Sequence, residues 1–468
     1  MIDNTENYLD GDVLTIVSRY EEMIKANELY YFDVHEFENI IDHYIEKNKY
    51  SDAVKVTTIA SKQHPTAISI QIKKAQVLIN RGQHLEALAI LNKVQGIESS
   101  NKEIWLLKGN IYNLMGKHKS AKKQFDEALK KDHENREDLL FRIAMAFEQL
   151  NQFDLAIGYL EEALRLNEED SEVLFELGYC YEKLGLDEKS IKTYSKFLDI
   201  NPFSDNAWYN IGIVYNRMAT FPKAIEAYEF ALAVNPQHSK AYFNLANALA
   251  NSGKFEEAIK LYIEYLEFED DHASTYSYIG ECFEKLNEYD QALNYYETAI
   301  KTNEELPDPW FGMGLILMYQ DKIDESLVYL EKANKLDSDN PDYWFALASA
   351  YSRSETPQKA VRAFREAIDL DPYDPTFSIT LAEFYHRNEK VETAIDVLLE
   401  SCGYNPDSPE LLNNLAAYYM LSGDLNATEH YIKKSTDIDA ENLNEIFLQF
   451  PELEENSQFK KIIAAYSA

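Results

Sequence analysis

Asn210, Asn244 and Asn247 lie mid-chain among Phe175, Tyr179, Tyr209, Phe243 and Tyr278. An asparagine side chain carries both a donor and an acceptor, so it can pair with a peptide backbone whatever that peptide's sequence. Aromatic rings offer large, rigid apolar area to a ligand's side chains. Together these groups point to noncovalent recognition of a polypeptide. The residue patterns that would make or break bonds are absent: the sequence holds no glycine-rich phosphate loop, no nucleophile elbow and no His-Glu-x-x-His helix. The paired acids Glu21-Glu22, Glu161-Glu162 and Glu256-Glu257 fall on amphipathic stretches and read as solvated faces. Cys180, Cys282 and Cys402 show no metal-ligand spacing, and three thiols form no disulfide framework. Cys180 and Cys282 sit beside aromatics at equivalent places and are expected to be small core residues. The histidines are scattered singly; His84 and His118 share a periodic position but are far apart in the chain. No catalytic residue, cofactor or metal is expected.

The elements that hold these residues are legible as a repeat. Residues 205–237 carry Trp208, Ile211, Gly212, Tyr215, Ala224, Tyr228, Ala231 and Pro236. Thirty-four residues on, the same classes return as Tyr242, Leu245, Ala246, Leu249, Ala258 and Tyr262; 34 residues back they return as Leu174, Leu177, Gly178, Tyr181, Ser190, Tyr194 and Pro202. This order of large, small, aromatic and small residues at a period of 34 resembles the tetratricopeptide repeat (TPR), a helix–turn–helix unit. The resemblance implies an all-α fold, a right-handed superhelical TPR solenoid of α-α repeats of 34 residues with N- and C-terminal capping helices. It divides the chain into an N-terminal capping helix over 1–33, about twelve TPR repeats over 34–442 and C-terminal capping helices over 443–468. The repeats begin at Val34, Ile68, Lys102, Glu137, Ser171, Asp205, Ser239, Ala273, Pro307, Pro341, Pro375 and Pro409, with one extra residue in the polar 131–136 connection.

Small residues explain why such repeats would stack. The middle of each first helix holds a position such as Gly109, Gly178, Gly212, Gly280 or Gly314, and the facing place on the second helix is Ala in nine of twelve repeats. Helices approach closely where such short side chains meet. Trp105, Trp208, Trp310 and Trp344 are expected to fill the space between repeats. Gly82, Gly116, Gly185, Gly253 and Gly423, with Asn48, Asn151 and Asn287, are placed where a first helix ends in a left-handed residue. Pro307, Pro341, Pro375 and Pro409 suit the first helical position, with Asn340, Asp374 and Ser408 as N-caps. The first repeat departs from the pattern at Ile41 and Thr57, and Phe197 and Tyr265 replace small residues late in two second helices. Val13, Ile16, Val17, Tyr20 and Ile24 give a capping helix one apolar face. At the other end Leu443, Ile446, Phe447, Phe450, Phe459, Ile462, Ile463 and Tyr466 form either a cap or a docking segment for another subunit.

Charge narrows the partner. Eighty-one acids against 45 bases give a net charge of −36, which disfavours nucleic acid and an anionic membrane surface. The acids gather between repeats, as at Glu168-Glu169-Asp170, Glu269-Asp270-Asp271, Glu304-Glu305 and Asp337-Ser338-Asp339, where they interact favourably with helix N-termini. A basic partner is the alternative use of the same charge. No apolar run is long enough to cross a bilayer and no signal peptide is visible, so a cytoplasmic protein without membrane insertion is expected. In the family the first helices line a concave groove. Phe175, Tyr179, Tyr209, Asn210, Phe243, Asn244, Asn247 and Tyr278 are the candidate peptide-binding residues there, although idealised repeats carry such residues as ordinary surface too. The cations that chaperone-binding TPR domains use as a two-carboxylate clamp are not matched; Lys73, Arg142 and Lys240 lack its spacing. The expected function is a non-catalytic protein–protein interaction scaffold or adaptor. The alternatives are a substrate-recruiting subunit of a separate protein-modifying enzyme and a self-assembling protein, a homo-oligomer formed through its caps.

Overall fold

The computed structural model describes residues 3–132, 135–268, 272–354, 356–439 and 446–466, with side chains from residue 13 onward. The acidic run Glu269-Asp270-Asp271 and the apolar residue Leu443 lie outside the described residues. All regular structure among the described residues is helical. The chain forms two compact units, an amino-terminal one (Met1–Pro236) and a carboxy-terminal one (Gln237–Ala468). In each, antiparallel helical hairpins follow one another along the chain. First helices begin at Val34, Ile68, Lys102, Arg136, Ser171 and Asp205 in one unit, and at Ser239, Ala273, Pro307, Pro341, Pro375 and Pro409 in the other. One start differs from the expected register: the helix begins at Arg136 rather than Glu137, directly behind Asn135.

A single contact explains the hairpin. The small position of the first helix lies under a large side chain of its own second helix. A Cβ added to Gly212 would come within 2.4 Å of the Tyr228 ring, one on Gly178 within 2.9 Å of Tyr194, and one on Gly280 within 2.7 Å of Tyr296. Each of these tyrosines is at most 3% exposed. Small meeting small is therefore only half of the geometry. Ser190 does face Gly178 directly, its hydroxyl donating to the Gly178 carbonyl at 2.9 Å, while the Tyr194 ring covers the same glycine. The first repeat keeps the volume and reverses the sizes: Ile41 and Thr57, both fully buried, stand at its small and large places. What reads as a double departure in sequence is a volume-conserving exchange, the kind cores tolerate best.

Trp105, Trp208 and Trp344 pack against clusters that span neighbouring repeats, as expected, and all four tryptophans have a second role. The indole N–H of Trp105, Trp208, Trp310 and Trp344 donates to the carbonyl six residues earlier, at Ser99, Pro202, Glu304 and Ser338, over 2.8–3.1 Å. Their rings stay half-buried, and Trp208 stacks on Phe230 of its own hairpin at 4.6 Å. Each thus pins the connection that enters its repeat. Phe197 and Tyr265 also turn inward, onto Phe175 at 5.4 Å and Phe243 at 5.1 Å. The helix that Tyr265 ends has 11 residues, against 14 in most second helices.

Turn chemistry follows the residue types. The five glycines and the asparagines Asn48, Asn151 and Asn287 all adopt positive φ, and so do Ala219, Asp321 and Glu389, which carry no such signal in sequence. Asn340, Asp374 and Ser408 each accept a backbone N–H of the first turn, whereas Leu306 ahead of Pro307 offers none. The amino-terminal helix, Asp3–Ala26, buries Val17, Tyr20 and Met23. Ile24 is 47% exposed, so Met23 takes the place that spacing assigned to it. At the other end Ile446, Phe450, Leu453, Phe459 and Ile463 are buried in one cluster with Leu415, Tyr418 and Ile432 of the last hairpin.

Two glycine substitutions test the hairpin contact. Gly212→Ala is expected to destabilise by about 1–3 kcal/mol, because the ring above it is buried and cannot withdraw. Gly158 lies mid-helix with open space at its Cβ direction, so Gly158→Ala is expected to be neutral or to stabilise by up to about 1 kcal/mol through helix propensity. Urea unfolding of the two variants measures both signs.

Candidate functional site

The first helices present the residues expected to bind, and each unit holds its own set. In the amino-terminal unit Phe175 packs edge-on against Tyr194 at 5.7 Å. Tyr179 meets Phe153 at 6.1 Å, and the Lys183 ammonium stands 4.7 Å from its ring centre. Tyr209 lies tilted on Tyr228 at 5.9 Å. In the carboxy-terminal unit Phe243 touches Tyr262, Tyr265 and Tyr278, with centroids 5.1–5.9 Å apart. Tyr278 stacks on Tyr262 and remains 39% exposed. All these aromatics are partly buried; Phe175, Tyr209, Phe243 and Tyr278 rest on a buried tyrosine of a second helix, and Tyr179 rests on the partly buried Phe153.

The asparagines are tied into the same support. The Asn210 amide donates to the Tyr194 hydroxyl at 2.9 Å, and the Tyr262 hydroxyl donates to Asn247 Oδ1 at 2.5 Å. Spacing alone treats these amides as free for a ligand. In fact each is anchored on a core tyrosine that burial keeps protonated by pushing its hydroxyl pKa up. Asn210 keeps its Oδ1 and Asn247 its Nδ2, one acceptor and one donor held on rigid supports. Asn210→Ala would also strand a buried hydroxyl, at a cost of about 1–3 kcal/mol, so it is not a change of the surface alone. Asn244 is half-exposed on the next turn, between Phe243 and Asn247.

Carboxylates complete this face. In the carboxy-terminal unit a cavity of about 310 Å³ opens between the Ala273–Lys285 and Pro307–Tyr319 helices. Tyr278, Phe311 and Tyr343 line it, with Glu281, Glu284, Asp308 and Asp342 against one cation, Lys285. Tyr296 donates to Glu284 at 2.9 Å and Tyr343 to Asp308 at 2.6 Å, which fixes two of the acids. Of this group the helical spacing marks Tyr278 and, in the aromatic stripe at the fifth place of the repeat, Phe311. The available signal for the acids was the second place of the repeat, which holds an acid in six of twelve repeats, Asp308 and Asp342 among them; Glu281 and Glu284 stand at places that are acidic in only three repeats each.

In the amino-terminal unit Glu148 and Glu176 share a hydrogen bond although 28 residues separate them in the chain. Burial, then the charge of Glu148, pushes Glu176 up to about 7. Burial raises Glu148 as well, while the Cys180 thiol donates to its Oε2 at 3.7 Å. Such a pair carries one proton near neutrality. Two cations of the helical stripe are already occupied: Lys73 pairs with Asp42 at 2.6 Å and Arg142 with Glu103 at 3.1 Å.

The carboxyl pair predicts a pH dependence of stability. The folded-state pKa of Glu176 is raised, so its contribution is complete below the ordinary carboxylate range and is lost as pH rises through about 7. Thermal melting of wild type should therefore weaken between about pH 5 and about pH 8. Glu176→Gln is expected to flatten that decline and to melt above wild type at the alkaline end.

No curated protein matches this sequence. Among solved structures, MamA is 26% identical over 35% of this chain and 95% of that one, with a TM-score of 0.34. YrrB, described as a TPR protein with an unusual peptide-binding site, is 29% identical over 40% of this chain and 95% of that one, with a TM-score of 0.31. The APC/C hetero-tetramer Cut9-Hcn1 is 14% identical over 88% of this chain and 94% of that one, with a TM-score of 0.43. Family models described as tetratricopeptide repeat match residues 141–205, 209–274 and 311–375, then 273–306, and then 102–132. The matched segments cover more than half of the sequence and coincide with hairpins built on the same small-under-large contact, so the chain belongs to the tetratricopeptide repeat family.

Proposed function

We propose that the protein is a non-catalytic scaffold or adaptor that holds a basic peptide segment of a partner along its first-helix face. The observation that carries this reading is the cavity lined by Tyr278, Phe311 and Tyr343, with four carboxylates against one lysine. Aromatic walls take the aliphatic stem of a lysine or arginine, while the acids receive its charged end. Phe175, Tyr179, Tyr209 and Asn210 in the amino-terminal unit form one candidate set for a peptide's side chains and backbone, and Phe243, Asn244, Asn247 and Tyr278 in the carboxy-terminal unit form a separate one. Membership of the TPR family supports a protein or peptide as the ligand class. The Glu148–Glu176 pair favours a basic one, since an incoming cation would replace the shared proton. A cytoplasmic location accords with three unpaired cysteines.

Hydrogen bonds of this kind contribute about 0.5–1.5 kcal/mol each, so affinity is spread over several contacts. A fluorescein-labelled Lys-Arg-Leu-Arg-Lys peptide is expected to bind the full chain saturably. Raising salt should weaken binding steeply, because exposed charges are screened beyond about 8 Å at physiological ionic strength. Tyr278→Ala with Glu281→Gln is expected to weaken it about tenfold, or about 1.4 kcal/mol. Unchanged affinity in that double variant would refute the assignment of the face. Co-purification from lysate of an enzyme that uses the captured protein as substrate would make the scaffold a recruiting subunit.

A further inference from the structure

The amino-terminal unit carries a second cavity, of about 460 Å³, on the side of its second helices. It lies between the Phe153–Leu166 and Asp187–Ile200 helices, whereas the aromatic stripe is on the Ser171–Lys183 helix that runs between them in sequence. Leu164, Leu174 and Leu177 line it as apolar floor. Arg165, Lys189, Lys192 and Lys196 also line it, and all four are exposed. The acids there number two: Glu161, which already accepts from the Tyr181 hydroxyl at 2.7 Å, and Glu168. Lys189 leans over the Tyr181 ring at 5.3 Å. Among the described residues none of the four cations is held in an ion pair with a carboxylate.

That arrangement is unusual in a chain with a net charge of −36. A neighbouring cavity of about 580 Å³ shows the ordinary case. There Lys122, Lys130 and Arg136 meet Asp126, Asp154 and Glu162, and Arg136 is paired with Glu162 at 2.6 Å. Lys130 is likewise paired with Glu127 at 2.8 Å. The 460 Å³ cavity instead sets four cations against two acids, a net positive rim around an apolar floor. A single aliphatic side chain fits such a floor, and the rim selects carboxylates on either side of it.

We propose that this cavity docks a short acidic segment of a partner protein, with one aliphatic side chain on the three leucines and flanking carboxylates on the four cations. A second copy of this chain is the poorer occupant, because two bodies of charge −36 repel as wholes. A short segment with a few charges feels mainly the local rim, since the Debye length is only about 8 Å at physiological ionic strength. The site is independent of the first-helix face and has the opposite charge preference.

The test uses the full chain and a fluorescein-labelled Ser-Glu-Glu-Leu-Glu-Glu-Ser peptide, followed by anisotropy. Saturable binding is expected, and Lys192→Glu with Lys196→Glu should weaken it by about tenfold or more. These side chains are exposed and unpaired, so unchanged melting should accompany the loss. The matched reversal Lys254→Glu with Lys260→Glu, in the other unit, should leave affinity within about twofold. A peptide with glycine in place of its leucine should bind about tenfold more weakly, near the transfer free energy of one aliphatic side chain. The Lys-Arg-Leu-Arg-Lys peptide should not be weakened by the Lys192→Glu, Lys196→Glu variant. Absence of saturable binding, equal losses in both charge reversals, or equal affinity of the glycine peptide would overturn the proposal. Self-association that disappears in the Lys192→Glu, Lys196→Glu variant would overturn the choice of a separate partner.

Discussion

Each hairpin depends on the fit of one large buried side chain over one small position. Tyr194 over Gly178, Tyr228 over Gly212 and Tyr296 over Gly280 are the clearest cases. Close packing leaves no slack at such a contact, because a protein interior is as dense as an organic crystal. The fit sets how near the two helices of a repeat lie, and hence which side chains reach the surface. Repeats stabilise one another mainly through neighbours, so the same fit recurs along the chain instead of being concentrated in one core. In the first repeat Ile41 and Thr57, both fully buried, exchange the sizes of the two places.

The same ring also supports the face proposed to bind. Tyr194 and Tyr262 are buried, yet their hydroxyls reach the first-helix surface and hold Asn210 and Asn247. Phe175 and Phe243 rest on those rings and keep their outer edges in solvent. Core and surface are thereby coupled, and the surface groups are ordered before a ligand arrives, which lowers the entropy cost of binding. Acids sit around these aromatics, at Glu148 and Glu176 in one unit and at Glu281, Glu284 and Asp308 in the other. Partial burial raises the cost of charge on Glu148, Glu176 and Glu284, and a cationic partner would relieve it. Between the second helices, the cavity rimmed by Lys189, Lys192 and Lys196 has the opposite preference. One helical scaffold therefore presents two chemically distinct surfaces.

Much of the fold was legible in sequence, because a 34-residue period repeats its small, large and turn residues often enough to align them. The N-caps at Asn340, Asp374 and Ser408 and the left-handed turns at glycine and asparagine follow from local chemistry alone. Ala219, Asp321 and Glu389 adopt the same left-handed turn because the hairpin imposes it, and no local signal marks them. The site was legible as a stripe of aromatics and amides, but not in its connections. Periodicity says that Asn210 faces outward; it cannot say that Tyr194, 16 residues away, holds its amide. Likewise no spacing within a repeat marks Glu148 and Glu176 as partners, and two neighbouring repeats bring them together. Interactions between repeats depend on how hairpins stack, and a pattern within one repeat carries no record of that.

The claim that the first helices carry recognition is open to one direct measurement. Amide hydrogen exchange of the full chain, with and without the saturating Lys-Arg-Leu-Arg-Lys peptide, reports where opening is suppressed. Added protection is expected on first helices, foremost Ala273–Lys285 and Pro307–Tyr319, with the second helices little changed. Protection confined to the second helices, with those two first helices unaltered, would contradict it.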